Sequence, residues 1–176
     1  MNLRTMNAFA LPAQAATLVR VDSDAAVRRV IDHAELGRAP KLVLGGGSNI
    51  VFTRDPKSVV LKVEVMGRRL LQERADAWIV EAGAGENWHD TVAWTLQQGW
   101  PGLENLALVP GTVGAAPVQN IGAYGVELRE RFESLDVVDL ITGRSATLDI
   151  DACHFGYRDN VFKQALAGKS VITRVR

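Results

Sequence analysis

The chain has 176 residues, enough for one good-sized domain or two small lobes sharing a core, and 47% of them are hydrophobic. Its 20 basic and 20 acidic side chains cancel, and no basic block stands out, which argues against nucleic acid or an anionic membrane as partner. A single cysteine, Cys153, excludes an intrachain disulfide framework and fits a reducing cytoplasm, and His33, His89 and His154 lack metal-ligand spacing, so no metal site is expected.

Met1 to Ala16 is a broken apolar run without the h-region of a signal peptide, and nowhere do about 18 apolar residues run uninterrupted. Thr17 to Val21 reads as a strand. Ser23 or Asp24 caps a helix in which Val27, Val30, Ile31 and Ala34 recur at helical spacing, with Gly37 as its end. Lys41 to Leu44 is a second strand, running into Gly45-Gly46-Gly47-Ser48-Asn49. Ser58 to Val65 alternates as a third strand, Gly67-Arg68-Arg69 interrupts the pattern, and Ala77 to Glu81 makes a fourth. Asn87 is a good N-cap with Asp90 in the first helical turn; Trp88, Val92 and Leu96 line one face, and Gly99 terminates.

Residues 101 to 125 have neither helical nor strand periodicity, yet are too apolar for a solvated loop. Five glycines and three prolines make this a stiffened path with backbone open to close approach, either a ligand loop or a buried connector. Leu135 to Ile141 and Arg144 to Ile150 read as a hairpin around Thr142-Gly143. Ser170 to Arg176 reads as a strand in progress that leaves a sheet edge open. The whole order predicts two small α+β lobes with a crevice between them, residues 1–70 and 71–176.

Three clusters are candidates for chemistry. Gly45 to Asn49 directly follows a strand and lacks the Gly-Lys-Ser/Thr of a Walker loop. It reads either as a nest of main-chain donors for a diphosphate or as a plain tight turn. Gly83-Ala84-Gly85-Glu86-Asn87-Trp88 mimics a dinucleotide fingerprint and is rejected. Trp88 fills the position that must be small, and Glu86 puts negative charge where a pyrophosphate would lie. In Phe155-Gly156-Tyr157-Arg158-Asp159-Asn160, Arg158 is a planar cation able to fork onto a carboxylate or enolate, or else half of a surface pair with Asp159. The tryptophans read as core, with Trp78, Trp88 and Trp94 at core-facing positions and Trp100 at a helix end.

Together these clusters resemble the UDP-N-acetylenolpyruvoylglucosamine reductases of bacterial peptidoglycan synthesis. The resemblance rests on Gly45 to Asn49, Gly83 to Trp88, Pro101 to Leu106, Pro110 to Gly114, Gln119 to Gly125 and Phe155 to Asp159, in that order. It implies a two-lobed FAD-binding fold of the vanillyl-alcohol-oxidase (PCMH) type, non-covalent FAD, NADPH as electron donor and a UDP-sugar substrate. It further implies a cytoplasmic protein, monomeric when full length.

By resemblance, Gly45, Gly46, Gly47, Ser48, Asn49 and Ile50 take the pyrophosphate. Pro110, Gly111, Gly114, Ala115, Ala116, Ile121, Gly122 and Tyr124 lie along the ribityl chain and isoalloxazine. Arg158 touches cofactor and stabilises an enolic intermediate. Main-chain donors at Ala115-Ala116 are expected to serve in place of the hydroxyls some relatives carry there. Asn7-Ala8-Phe9-Ala10 stands where the family usually shows Asn-Thr-Phe-Gly, and Asn160 where serine is frequent. The family's substrate-binding domain, with its serine proton donor and second carboxylate acid, has no counterpart before residue 176, so the chain is expected to be the FAD-binding part. Another FAD oxidase or dehydrogenase of this fold, or a non-catalytic FAD-binding module, stays open.

Overall fold

The computed structural model describes residues 1–176. β1 (Leu18–Val21) leads into α1 (Asp24–Asp32), where Ser23 caps by accepting a hydrogen bond from the Ala26 N–H at 3.2 Å. Ala26, Val27 and Val30 are the buried stripe. The helix stops at Asp32, short of the expected Gly37, because His33 turns to extended backbone and Ala34 is left in solvent. β2 (Lys41–Leu44) and β3 (Val59–Val63) complete an all-parallel sheet in the order β1-β3-β2. β3 is central, and Val59, Val60 and Leu61 are all buried. The expected alternation gives way to burial on both faces, as a covered parallel sheet demands.

Gly67-Arg68-Arg69, read from sequence as an interruption, leads into β4 (Arg68–Glu73), an edge strand. It belongs to a second, antiparallel sheet, so the change of sheet falls at residues 64–67 and a division at residue 70 runs through a strand. β5 (Trp78–Gly83) follows, then α2 (Trp88–Gln97), with Asn87 Oδ1 accepting from the Asp90 N–H at 3.0 Å. Trp88, Thr91, Val92 and Thr95 are buried, whereas Leu96 is exposed. At about 100° per residue, each step of four drifts about 40° around the helix, and two steps carry Leu96 off the face that Trp88 begins.

The segment after α2 is a chain of short pieces rather than one loop. Single 3₁₀ turns occupy Glu104–Leu106 and Val113–Ala115, and α3 (Ala116–Gln119) follows. β6 (Gly122–Ala123) and β7 (Val126–Glu127) make a two-residue hairpin, with Tyr124 and Gly125 both at positive φ (50° and 78°) as a type I′ turn requires. β8 (Ser134–Asp139), β9 (Ser145–Asp149), α4 (Ile150–Cys153) and β10 (Ser170–Val175) close the fold.

The second sheet runs β4-β5-β10-β8-β9. The C-terminal strand therefore leaves no open edge: β10 sits between β5 and β8, with a bulge at Thr173, and the edges are β4 and β9. One apolar core joins the two sheets, from Val21, Leu61 and Val63 through Ala82 and Ala84 to Leu135 and Val171. A smaller cluster of Leu3, Ala13, Ala15, Leu44, Phe52 and Val60 packs the N-terminal segment onto the other face of the parallel sheet.

The tryptophans divide. Only Trp88 is core, its indole N–H donating to the Leu106 carbonyl at 2.7 Å. Trp94 is half-buried, edge-on to Trp100 and under the Arg68 guanidinium. Trp78 is exposed and bonds Glu73, because it opens its strand beyond the reach of the core.

Candidate functional site

All three strands of the first sheet run the same way, and a crevice at their carboxyl ends is the usual ligand position in such sheets. Gly45 to Asn49 leaves the end of β2 at that place. The main-chain N–H groups of Gly45, Gly46, Gly47, Ser48 and Asn49 make no hydrogen bond within the chain. Five consecutive donors on one turn are thus left free for an external acceptor. Lys62, on β3, reaches under the turn and donates its ammonium to the Gly45 carbonyl. Burial pulls that ammonium below its ordinary pKa, with Arg20 acting the same way and Glu64 opposing.

The turn borders a cleft of about 330 Å³ between the two sheets. Gly114, Ala115 and Thr112 form its facing side, while Val118, Phe162, Leu166 and Ile172 give it an apolar wall. Two hydroxyls in that lining, Thr112 Oγ1 and Ser170 Oγ, are buried without any hydrogen-bond partner. Buried polar atoms are nearly always paired, so two orphans beside five free donors mark a place where a polar ligand belongs.

The glycines are required by space. A Cβ on Gly45 would stand 2.6 Å from Thr112 Oγ1, and one on Gly47, at φ 82°, would stand 2.2 Å from the Met6 carbonyl oxygen. The N-terminal segment that closes on Gly47 is itself tied down. Asn7 donates to the carbonyls of Leu3 and Leu11, and Ala8 N–H donates to Ile50 O at 2.8 Å.

The structure thus brings Gly45 to Ile50 together with Gly114 and Ala115. Gly111 packs against Ser48, and Pro110 is exposed at the approach. Ala116 and Ile121 are buried in the core, Gly122 lies in β6, and Tyr124 projects into solvent at its tip. The expected donors at Ala115-Ala116 are absent: the N–H groups of both bond the Thr112 carbonyl, and those of Val113 and Gly114 bond the carbonyls of Glu86 and Ala84. The N–H groups of residues 113 to 116 are therefore consumed within the chain, whereas those of the glycine turn stay free.

Arg158 stands apart from the cleft lining, on an exposed turn at φ 54°. Its guanidinium has no hydrogen bond or ion pair. The surface pair with Asp159 does not form, because Asp159 accepts instead from the Asn160 N–H and from the Gln164 side chain. Glu86 serves the fold: its carboxylate accepts from the Gly67 N–H at 2.7 Å and pairs with Arg68, closing the turn between the sheets.

Sequence reasoning met Thr112 only inside the Pro110 to Gly114 stretch, without singling out its hydroxyl, and passed over Ser170, Phe162 and Leu166. None carries a local signal, since each becomes part of the site only by apposition of segments far apart in the chain. No group of three or more His, Cys, Asp or Glu side chains is arranged to hold a metal.

Residues 15–149 match the family model described as FAD binding domain. The chain belongs to this FAD-binding domain family. The five free N–H groups and two orphan hydroxyls suit the pyrophosphate and hydroxyls of such a cofactor, and the apolar wall suits its rings. Two similar curated proteins are named UDP-N-acetylenolpyruvoylglucosamine reductase. The one from Azoarcus sp. (strain BH72) is 58% identical over 99% of this chain and 51% of its own length. The one from Burkholderia orbicola (strain MC0-3) is 54% identical over 98% of this chain and 50% of its own. The chain spans about half the length of the curated relatives it matches.

A crystal structure of UDP-N-acetylenolpyruvylglucosamine reductase from Thermus caldophilus superposes with a TM-score of 0.76 at 24% identity, covering 100% of this chain and 59% of that one. The FAD-binding domain fold is thus the two-lobed α+β fold of the PCMH type. No helix is long and apolar enough to cross a membrane.

Proposed function

We propose that this chain is the FAD-binding part of a flavoprotein oxidoreductase that uses NADPH to reduce UDP-N-acetylenolpyruvoylglucosamine to UDP-N-acetylmuramate in peptidoglycan precursor synthesis. The observation that carries the reading is the donor nest of Gly45 to Asn49 facing the orphan hydroxyls of Thr112 and Ser170, in a chain 58% identical to a protein named for that reductase. In this reading the nest and the two hydroxyls hold the pyrophosphate and ribityl portions of non-covalent FAD. Pro110, Gly111, Ile121, Gly122 and Tyr124 border its remainder.

FAD, when bound, supplies the two-electron redox chemistry. The chain supplies placement, water exclusion by Val118, Phe162, Leu166 and Ile172, and charge. Arg158 keeps an unpaired guanidinium in solvent, available to fork onto a substrate oxygen where negative charge develops, a form of stabilisation that is often a large catalytic term. The chain spans about half the length of its curated relatives, so in this reading the 176 residues supply the FAD-binding share of the reaction. We place the protein in the cytoplasm, as a monomer when full length. Burial, with a contribution from Asp149, pushes the Cys153 thiol up to about 12, which keeps it protonated and unreactive.

Two measurements test the reading. Acid precipitation of the FAD-loaded chain is expected to release all yellow colour into the supernatant, and colour retained in the pellet speaks for a covalent link. In a full-length enzyme carrying this domain, Arg158→Lys keeps the charge but loses the planar fork. Flavin reduction by NADPH is expected to stay near its normal rate while oxidation by the enolpyruvyl sugar slows on the order of a hundredfold. Equal loss in both half-reactions makes Arg158 structural instead.

A further inference from the structure

Arg158 is carried on a turn that an L-residue does not adopt freely: its φ is 54°, and Gly156 and Asp159 pair across it through the Gly156 N–H at 2.8 Å. Something must hold that turn. Two asparagines do so, each only 1% exposed. Asn120, itself left-handed at φ 39°, donates its amide to the Gly156 carbonyl at 3.1 Å and to Glu127 Oε2 at 3.0 Å, and accepts from the Arg129 N–H at 3.1 Å. Asn160 reaches in the opposite direction. It donates to the carbonyls of Pro117 and Val118 at 2.7 and 3.0 Å and accepts from the Phe162 N–H at 2.9 Å.

The two amides thus cross between the same pair of segments, α3 with its C-cap on one side and the Arg158 turn on the other. Lys163 adds an exposed third link, donating to Arg158 O at 2.6 Å and to Gln119 Oε1 at 2.9 Å. Gln119 and Val118 line the cleft, and so does Phe162. The clasp therefore ties the Arg158 backbone directly to residues that line the cleft.

We propose that Asn120 and Asn160 are positioning residues that act through Arg158, setting where its guanidinium stands relative to the bound flavin. The amide at residue 160 makes two donated bonds and one accepted bond at once. A carboxylate can do only the accepting, and a hydroxyl can accept and donate once. The proposal rests on the functional reading of Arg158 given above.

The test uses the full-length, FAD-loaded enzyme with Asn160→Asp, which is isosteric, keeps the acceptor for Phe162 N–H and sets a negative charge against the Pro117 and Val118 carbonyls. Flavin content and reduction by NADPH are expected to stay within about twofold, while reoxidation by the enolpyruvyl sugar falls at least tenfold. Hydrogen exchange across residues 155–163 should quicken. The deciding measurement is the double variant Asn160→Asp with Arg158→Lys. Its loss should fall well short of the product of the two single losses, because both remove one function.

Full multiplicativity overturns the proposal, as does unchanged substrate reoxidation in Asn160→Asp. If Arg158→Lys alone has no effect, it is the role of Arg158 that fails, and the two failures are thereby separated. Should Asn160→Asp not fold, Asn160→Ala, which removes both donors and the acceptor without adding charge, is expected to show the same split between half-reactions. An equal loss in both half-reactions there also overturns the proposal.

Discussion

Thr112 closes on Gly45. The hydroxyl of one would lie 2.6 Å from a Cβ on the other, and that hydroxyl is buried with no partner in the chain. The contact joins the N-cap of the Val113–Ala115 turn to the residue that follows β2. It leaves one polar atom facing inward, at a cost the free domain bears.

That arrangement separates two effects of Thr112→Val, which swaps the hydroxyl for a methyl of similar shape. With the unsatisfied group gone, the cofactor-free domain is expected to be as stable as before or more so, by up to about 1 kcal/mol. FAD affinity should fall about fivefold, the loss of one hydrogen bond worth about 1 kcal/mol. Thermal unfolding without FAD and flavin-fluorescence titration measure the two. Lower stability with unchanged affinity would show that the hydroxyl serves the fold.

Gly47 bears a stronger constraint. Valine there must adopt φ 82° and place its Cβ 2.2 Å from the Met6 carbonyl oxygen, so the N-terminal segment has to lift from the turn. FAD affinity of Gly47→Val is expected to drop at least tenfold, about 1.4 kcal/mol. Equilibrium dialysis against FAD is the check. A folded variant with full flavin content would sink the nest assignment.

Ala10 has φ 51° where the resembled family carries glycine. The left-handed conformation costs an L-residue about 1–2 kcal/mol, while glycine gives back roughly 0.4–1 kcal/mol by loosening the unfolded chain. Ala10→Gly should therefore stabilise the domain by about 0.5 kcal/mol or a little more, read as a shift of the urea midpoint with unchanged slope. A lower midpoint would mean that the Ala10 methyl packs usefully.

Acid sensitivity is expected at Asp136. Burial pushes its carboxyl up, but a two-pronged bond from Arg176, at 2.9 and 2.6 Å, together with Thr147 and the arginine charge, outweighs burial and holds it below the usual range. A depressed carboxylate contributes stability above its unfolded value of about 3.9, and that contribution is lost as pH falls through the folded value. Asp136→Asn should melt below the parent at neutral pH, with the gap closing below about pH 4. A gap that persists unchanged through acid pH would point to packing rather than charge.

Much of this protein was legible in its residues taken alone. The caps at Ser23 and Asn87, the ends of β2, the hairpin around Gly143 and the glycine turn are local matters. A hydrogen bond to a neighbour three residues on, or a positive φ, depends on the chain within one turn of itself. The rejection of Gly83 to Trp88 as a dinucleotide loop was also local, since Trp88 needed room that a phosphate loop lacks, and it fills the core instead.

Tertiary structure alone decided the rest. The N–H groups of Ala115 and Ala116 look available in sequence and are consumed by the Thr112 carbonyl. Ser170 to Val175 resembles an unfinished edge and is the central strand. Thr112 meets Gly45, and Asn160 meets Pro117, across 67 and 43 positions of chain. Periodicity and turn chemistry report on backbone torsion and on which face is apolar. They do not report which distant segment arrives to use a donor, cover an edge or orphan a hydroxyl, because that is decided by packing two sheets onto one core.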